Sequence, residues 1–405
     1  MRIVFHLTLT LAVVLPVRLQ ATDTLKVMSY NLLNFPSTSP NRIDTLEIIL
    51  SYVKPDILMV CEITSAAGID NILMNALNVG GETAYEAANF VVGPDTKNGL
   101  FYNSEKLVLV EQNTITTALR DIDEYVLYHI ADDIATTSDT VFFYVYMCHL
   151  KASTGFEAER NLEAQTMKNY MATRSNRENI LIGGDFNMYS SSTEPAWNTI
   201  LTGAGVTIKD PINSPGNWNS NAGFAPIHTQ STRLLDFDGG STGGLDDRFD
   251  IIFMSPDLND FGNGAKYITG TYKAFGQDGL HFNKALIDAP VNTSKPWSVI
   301  SALYHMADHL PVYMEIEVAT ENVGLDESET DTFLYYDKAS QSLYFRNSAG
   351  KMISGKCAIY DLAGNLALSF ESIEDGQALD VSRLESGVYI LRSEDGAVSL
   401  KFRKD

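Results

Sequence analysis

Residues 179–189 read NILIGGDFNMY. An apolar run from Asn179 to Gly183 rises as a strand into Gly184 and ends on a carboxylate, Asp185, with an amide at Asn187. The same plan recurs on both sides of this stretch. Leu25 to Asn31 alternates and ends on Asn31, Asp56 to Glu62 is a nearly continuous apolar run ending on Glu62, and Val141 to His149 ends on His149. Asp250 opens a strand to Ser255, and Asp308-His309 immediately precedes one at Pro311 to Val318. Gly99 to Tyr102 and Leu107 to Val110 read as further strands, while Ile43 to Val53, stopped by Pro55, and Ala158 to Met171 have helical spacing. Strands and helices interleaved on this scale predict two sheets packed face to face with helices outside. Asn213 to Gly244, rich in Gly, Asn, Ser and Pro, reads as a long functional loop.

A single carboxylate or histidine near a strand end is ordinarily a capping or surface residue. Six strand ends carrying one, in this order, point instead to polar groups gathered on one edge of a rigid scaffold. Those residue types suit phosphoester hydrolysis. A hard divalent cation prefers oxygen ligands, which Asn31, Glu62 and Asp308 offer. Asp185 is the candidate to orient or deprotonate a water, and Asn187 can donate to a phosphoryl oxygen without adding charge. His149 and His309 fit protonation of the leaving oxygen and stabilisation of the transition state.

The wider composition bounds this reading. With 405 residues the chain suits two or three domains, and 45% hydrophobic residues suffice for a buried core. A net charge of −22 excludes a broadly basic nucleic-acid-binding surface. A nuclease that grips its substrate through cations and a few local arginines is still compatible with it. Arg2 followed by the apolar stretch Leu7 to Val17 reads as a signal peptide over residues 1–21, with Ala21 at the cleavage point. No later run reaches the roughly 20 apolar residues of a membrane span, so an exported protein, monomeric and without a transmembrane segment, is expected. Cys61, Cys148 and Cys357 make a poor disulfide framework, and Cys61 and Cys148 sit in apolar strands as small hydrophobes. After Val318 the composition turns acidic over Glu321 to Asp331, a linker placed at 319–332. Short alternating segments punctuated by Gly350, Gly364, Gly387 and Gly396 then predict a small C-terminal β-sandwich over 333–405.

The segments LKVMSYNLLNF, PDILMVCEI, YMCHLKAS, ILIGGDFNMY, DDRFDIIFMS and MADHLPVYMEI resemble, in order, the signature blocks of the endonuclease/exonuclease/phosphatase (DNase I-like) superfamily. The resemblance covers the domain at 24–318 and implies a four-layer α/β sandwich. It implies a metal-dependent phosphoesterase, most simply an endonuclease cleaving a phosphodiester substrate such as nucleic acid with Mg²⁺, or Mn²⁺ or Ca²⁺ in its place. Sphingomyelinase, phospholipase C-like and sugar- or inositol-phosphate phosphatase activities belong to the same superfamily. A non-catalytic binding protein on this fold is the alternative of another class. By the resemblance Asn31, Glu62 and Asp308 form the metal site, His149 the general acid, Asp185 and Asn187 the water-orienting and phosphate-binding positions, and Asp250 the carboxylate orienting His309.

The chain departs from that pattern in two respects. Leu33 and Thr64 stand where pancreatic-type DNases carry backbone-gripping arginines, which leaves Arg233, Arg248, Lys151 and Arg160 as candidate phosphate contacts. For Arg248 pairing with Asp246 or Asp247, and for Arg160 a place on a helix surface, are equally open. No carboxylate partner for His149 aligns, and Asp95 is the candidate. The C-terminal segments IYDLAGNLALSF and LDVSRLESGVYILRSEDGAVSLKFRKD resemble the type IX secretion sorting domain. That likeness implies outer-membrane secretion machinery as a partner and a secreted or cell-surface location.

Overall fold

The computed structural model describes residues 22–36, 42–130 and 140–320, and toward the C-terminus 332–337, 340–347, 355–361, 365–374, 376–393 and 399–404. The signal peptide expected at residues 1–21 and most of the expected linker, 321–331, lie outside the described residues. No helix among the described residues is long and apolar enough to cross a membrane.

In chain order the first domain contains β1 (Thr22–Phe35), α1 (Arg42–Val53), β2 (Ile57–Ile63), α2 (Ala66–Ile72), β3 (Tyr85–Ala87), β4 (Lys97–Asn103), β5 (Leu107–Ile115) and β6 (Ile122–His129). It continues with β7 (Phe142–His149), α3 (Glu157–Thr173), β8 (Ile180–Asp185), α4 (Pro195–Thr202), β9 (Asp250–Met254), β10 (Ala265–Tyr267), β11 (Lys273–Ala274), α5 (Trp297–Met306) and β12 (Val312–Ala319). One sheet runs β10-β12-β1-β2-β4-β3, with β11 beside β12; the other runs β5-β6-β7-β8-β9.

Strand alternation decides the layers. On β1, Leu25 and Val27 face the second sheet and pack with Met59, Phe143, Val145, Leu181 and Ile252 in the core between the sheets. Met28 and Tyr30, on the opposite face, pack under α1 and α5 through Leu46, Ile49, Ile300 and Leu303. The second sheet repeats the arrangement: Tyr146, Ile182 and Phe253 turn outward onto Ala164, Met167 and Met171 of α3 and Trp197 and Ile200 of α4. The result is helix, sheet, sheet, helix, the expected four-layer α/β sandwich. Each fully buried Leu, Ile or Phe contributes about 1.5–3 kcal/mol, so three such layers outweigh any surface pairing.

Two parallel pairings bring polar strand ends together. β1 and β2 run parallel with Asn31 opposite Cys61, and β7 and β8 run parallel with His149 opposite Asp185. β9 is antiparallel to β8, so Asp250, its first residue, stands opposite Asp185. Gly184 is needed here, because a Cβ would lie 1.9 Å from the Cys148 carbonyl oxygen, and its φ of +149° lies in the region only glycine enters freely.

The C-terminal strands are β13 (Thr332–Asp337), β14 (Ser342–Asn347), β15 (Cys357–Asp361), β16 (Leu366–Phe370), β17 (Ala378–Asp380), β18 (Gly387–Ser393) and β19 (Ser399–Lys404). They form sheets β13-β14-β17 and β16-β15-β18-β19. Both sheets feed one core of Leu343, Phe345, Ile359, Leu379, Leu391 and Phe402. This is the small sandwich expected from the alternation.

Candidate active site

The edge where β1, β2, β7 and β8 end carries the polar cluster. Among the described residues, one group of three possible metal-holding side chains gathers its donor atoms within 4.8 Å, namely Glu62, His149 and Asp185. Glu62, next to last in β2, has left-handed backbone, φ +62°, a conformation that costs a non-glycine residue about 1–3 kcal/mol and persists only where its surroundings hold it. Its Oε2 accepts from the Asn34 backbone N–H at 2.9 Å and its Oε1 from Asn31 Nδ2 at 3.0 Å.

Asn31 is buried between carboxylates. Its Nδ2 donates to Glu62 and also to Asp185 Oδ2 at 3.1 Å, while its Oδ1 accepts from the Leu33 backbone N–H. Asn31, expected at the metal site, thus has its amide oxygen on the backbone of Leu33 and its amide N–H groups bridging two carboxylates. Asp308, also expected at the metal site, stands apart from the Glu62–His149–Asp185 group. Its Oδ2 accepts from the Ser241 backbone N–H at 2.6 Å and from Gln230 Nε2 at 3.3 Å. Its Oδ1 is buried with no hydrogen-bond partner.

Asp185 lies between the two histidines. Its Oδ2 is 3.6 Å from His149 Nε2 and 3.7 Å from His309 Nε2. Burial, ahead of the nearby Asp250 and Glu62 carboxylates, raises its pKa to about 7, and His309 and the Asn187 N–H work against that rise. The Asn187 backbone N–H donates to Asp185 Oδ1, and its side chain donates to the Leu150 carbonyl at 3.2 Å, leaving the second amide hydrogen uncommitted.

The two histidines differ electrostatically. Burial, then the positive charge of Arg120, then His309, push His149 well below 6.5, and its Nδ1 has no hydrogen-bond partner. For His309 burial again opposes protonation, but Asp250, Asp308 and Asp185 outweigh it and draw its pKa well above 6.5. Asp250 Oδ2 is 2.7 Å from His309 Nδ1, the tightest side-chain contact of the site apart from one other. That other is Gln230 Nε2, 2.6 Å from His309 Nε2.

Of the candidate phosphate contacts, only Lys151 reaches solvent; its Nζ bonds the Ala152 carbonyl and lies 4.0 Å over the Phe156 ring. The three arginines are corrected as a group. Arg160 is buried in a bidentate pair with Glu194, at 2.9 and 2.7 Å. Arg248 is buried in a bidentate pair with Asp210, at 2.9 and 2.8 Å, rather than with Asp246 or Asp247. Arg233 is buried and bonds the carbonyls of Tyr304, Phe237, Gly239 and His305. Fully desolvated guanidiniums must be paired or hydrogen-bonded, and these are, which removes them from substrate. Asp95 is corrected too: it pairs with Arg120 at 2.9 Å instead of with His149.

Two residues at this edge were not singled out from sequence. Arg120 bonds the Leu150 carbonyl at 3.3 Å, keeps 15% of its side chain exposed and acts on the His149 charge. It lies in a TALRD turn with no periodic signal. Gln230 lies three residues before Arg233, the candidate phosphate contact of that segment.

The residues present suit a divalent cation: two carboxylates, Glu62 and Asp185, face one another across donors that are neutral, and oxygen-rich sets are what hard cations take. The sequence profile of the endonuclease/exonuclease/phosphatase family matches residues 28–272. Among solved structures, TDP2 from D. rerio complexed with a single-strand DNA product is 14% identical, with 72% of this chain and 98% of that chain covered and a TM-score of 0.47. The human Nocturnin catalytic domain with a bound sulfate is 15% identical, with 73% and 97% covered and a TM-score of 0.42. A family protein from Bacteroides thetaiotaomicron is 16% identical, with 74% and 99% covered and a TM-score of 0.43. No curated protein matches. With the family profile spanning the sheets and loops that supply Asn31, Glu62, His149, Asp185 and Asp250, this chain belongs to the endonuclease/exonuclease/phosphatase family.

Proposed function

We propose that the first domain is a metal-dependent phosphoesterase that hydrolyses phosphodiester bonds, with nucleic acid as the leading substrate class. The observation that carries this reading is the convergence of Glu62, His149 and Asp185 within 4.8 Å, beside a histidine held by a buried aspartate. Glu62 and Asp185 would hold the divalent cation, Mg²⁺ in the first instance. Bound there, it would neutralise phosphate charge and favour ionisation of a water.

The chain's own groups then divide the work. Asp250 fixes the His309 ring with Nε2 turned toward Asp185, where it can move a proton to or from the attacking water. Asp185 orients that water. Burial and the charge of Arg120 disfavour the charged form of His149, so its service as the acid for the leaving oxygen would draw on the anionic phosphodiester, which raises its proton affinity. Asn187 donates its uncommitted amide hydrogen to a phosphoryl oxygen, and Arg120 and Lys151 supply the positive charge at the rim. With an acidic chain and its candidate arginines turned inward, the domain would hold a nucleic acid chiefly at the phosphate being cleaved.

The test is hydrolysis by the purified chain of plasmid DNA, RNA, sphingomyelin and inositol phosphates, each with Mg²⁺ and with EDTA. Metal-dependent cleavage of a nucleic acid, lost in His309→Ala, is the expected result. Turnover of the lipid or the small phosphate ester alone would retain the chemistry and replace the substrate. No turnover of any of them would leave a binding protein. For the C-terminal sandwich we propose a sorting role in export through outer-membrane secretion machinery. A chain ending at residue 320 should then accumulate inside a type IX-competent host, and its normal appearance in the medium would refute that role.

A further inference from the structure

The chain that leaves His149 is fastened to the site and to the helical layer at once. The Leu150 carbonyl accepts from Asn187 Nδ2 at 3.2 Å and from Arg120 Nη1 at 3.3 Å. One residue on, the Lys151 backbone N–H donates to Glu163 Oε2 at 2.9 Å. The carbonyls of Lys151 and Ser153 accept from Arg160 Nη1 at 2.9 and 2.8 Å, and Arg160 is itself fixed by its two bonds to the buried Glu194. Phe156 ends the loop where α3 begins, its carbonyl accepting from the Arg160 backbone N–H at 3.1 Å. The buried Arg160–Glu194 pair thus has a use beside the site: it holds the backbone from Lys151 to Phe156 in one shape.

On that backbone one side chain carries a charge that no acidic group neutralises. Among the described residues no carboxylate comes within ion-pair distance of Lys151 Nζ, whereas Arg120 pairs with Asp95, Arg160 with Glu194 and Arg248 with Asp210. The ammonium instead bonds the Ala152 carbonyl at 3.0 Å and lies 4.0 Å from the centre of the Phe156 ring. Phe156 is 36% exposed, so core packing alone does not account for a phenyl ring there. A lysine left in water spreads its ammonium over many rotamers of a flexible four-carbon stem. The negative face of a ring attracts the ammonium and narrows that spread. With three N–H donors, an ammonium resting on one ring and one carbonyl keeps donors to offer to an anion.

We propose that Phe156 is a positioning residue for Lys151: its ring face, with the Ala152 carbonyl, holds the ammonium one residue from the carbonyl that Asn187 grips, as a preset contact for a phosphoryl oxygen of the substrate. This deepens the hydrolase reading above and rests on it for the kinetic consequence, though not for the ring–ammonium contact itself. In a chain of net charge −22, a cation already ordered in the free protein binds an anion at a smaller entropic cost than one that must be ordered on binding. Leucine at 156 would keep the apolar bulk and lose the π face, while tyrosine would keep both.

The experiment uses full-length protein labelled with ¹³C at lysine Cε, in EDTA and without substrate, the Lys151 signal being the one absent from Lys151→Gln. In wild type its Hε protons should be shifted upfield by the ring. In Phe156→Leu they should return to the position of a free lysine, and in Phe156→Tyr they should stay shifted. On the substrate that the wild type turns over, at low ionic strength, Phe156→Leu should raise KM about 2- to 5-fold with kcat unchanged, the loss of one exposed cation–π contact. Phe156→Tyr should restore the wild-type KM, and Phe156→Leu placed in Lys151→Gln should add nothing to the effect of the latter. An unshifted Lys151 signal in wild type, or one unmoved by Phe156→Leu, would overturn the contact. A moved signal with unchanged KM, or a rise in KM that persists in the Lys151→Gln background, would overturn the positioning role. If the wild type turns over nothing, the hydrolase reading fails and the kinetic half of the proposal with it, and the spectra alone decide the contact.

Discussion

Arg248 separates two accounts of a conspicuous arginine, one in which it grips substrate phosphate and one in which it holds the fold. It is fully buried, donates to both oxygens of Asp210 and to the Ser214 carbonyl, and its guanidinium lies 5.4 Å from the centre of the Trp218 ring. Replacing it with methionine leaves Asp210 charged and buried, with backbone N–H groups of Ile212 and Ser214 as its remaining donors. Breaking a buried ion pair on one side costs about 3–5 kcal/mol. A domain of about 300 residues unfolds with an entropy near 0.6 kcal/mol/K, so Tm should drop by about 5–8 °C. All three tryptophans, Trp197, Trp218 and Trp297, belong to the first domain, so their fluorescence during heating follows that domain and not the C-terminal sandwich. KM for the turned-over substrate should hold within twofold. Pairing Arg248→Met with Asp210→Leu removes the stranded charge and should recover part of the loss. A Tm unmoved by Arg248→Met together with a tenfold rise in KM would refute the reasoning and return Arg248 to the substrate.

Three further outcomes are expected. Asp250→Asn removes the charge from the 2.7 Å contact with His309 and should lower kcat about 10- to 150-fold, as for loss of a charge-assisted bond, with unchanged circular dichroism; full activity would sink the dyad. Arg120→Gln should raise KM, and should also raise the His149 pKa, since the positive charge of Arg120 is one cause of its depression; histidine NMR reads the second effect without substrate. Asp247, buried beside Asn219, has its carboxyl pushed up to about 7 chiefly by burial. The folded state therefore holds that proton more tightly than the unfolded one, so its contribution is complete below about 4 and is lost as pH rises toward 7 and beyond. Thermal melts across that window should show a decline that Asp247→Asn flattens, and identical profiles for the two proteins would contradict the burial argument.

What could be read in advance followed the range of the interactions involved. Strands such as Ile57–Ile63 and Ile180–Asp185 are buried on both faces and write that burial into an unbroken apolar run. Their terminal residues, Glu62 and Asp185, were conspicuous for the same reason. β6, Ile122–His129, went unread because Asp123, Glu124 and His129 are buried polar residues satisfied by partners far along the chain, which breaks the apolar signature. α5, Trp297–Met306, has no side-chain cap and only ten residues, too little for periodicity to declare itself. The arginines were misread because a guanidinium looks alike in sequence whether it faces water or a buried carboxylate. Glu194 and Asp210, which decide the matter for Arg160 and Arg248, lie 34 and 38 residues away. Gln230 was hidden for a related reason: a neutral amide gains meaning only from what folds against it.

The order in which the chain visits its two sheets bears on how its ends are joined. Asn31 and Glu62 come from the first sheet, and His149, Asp185 and Asp250 from the second. His309 arrives last, just before β12 returns to pair with β1 from Thr22↔Ala319 to Ser29↔Val312. Every earlier fragment of the chain lacks His309, so the polar edge is complete only when the last strand of the first domain lies beside its first. The two ends of that domain are thereby tied to one another and to the site, and a truncation that removes β12 would take the His309–Asp250 pair with it.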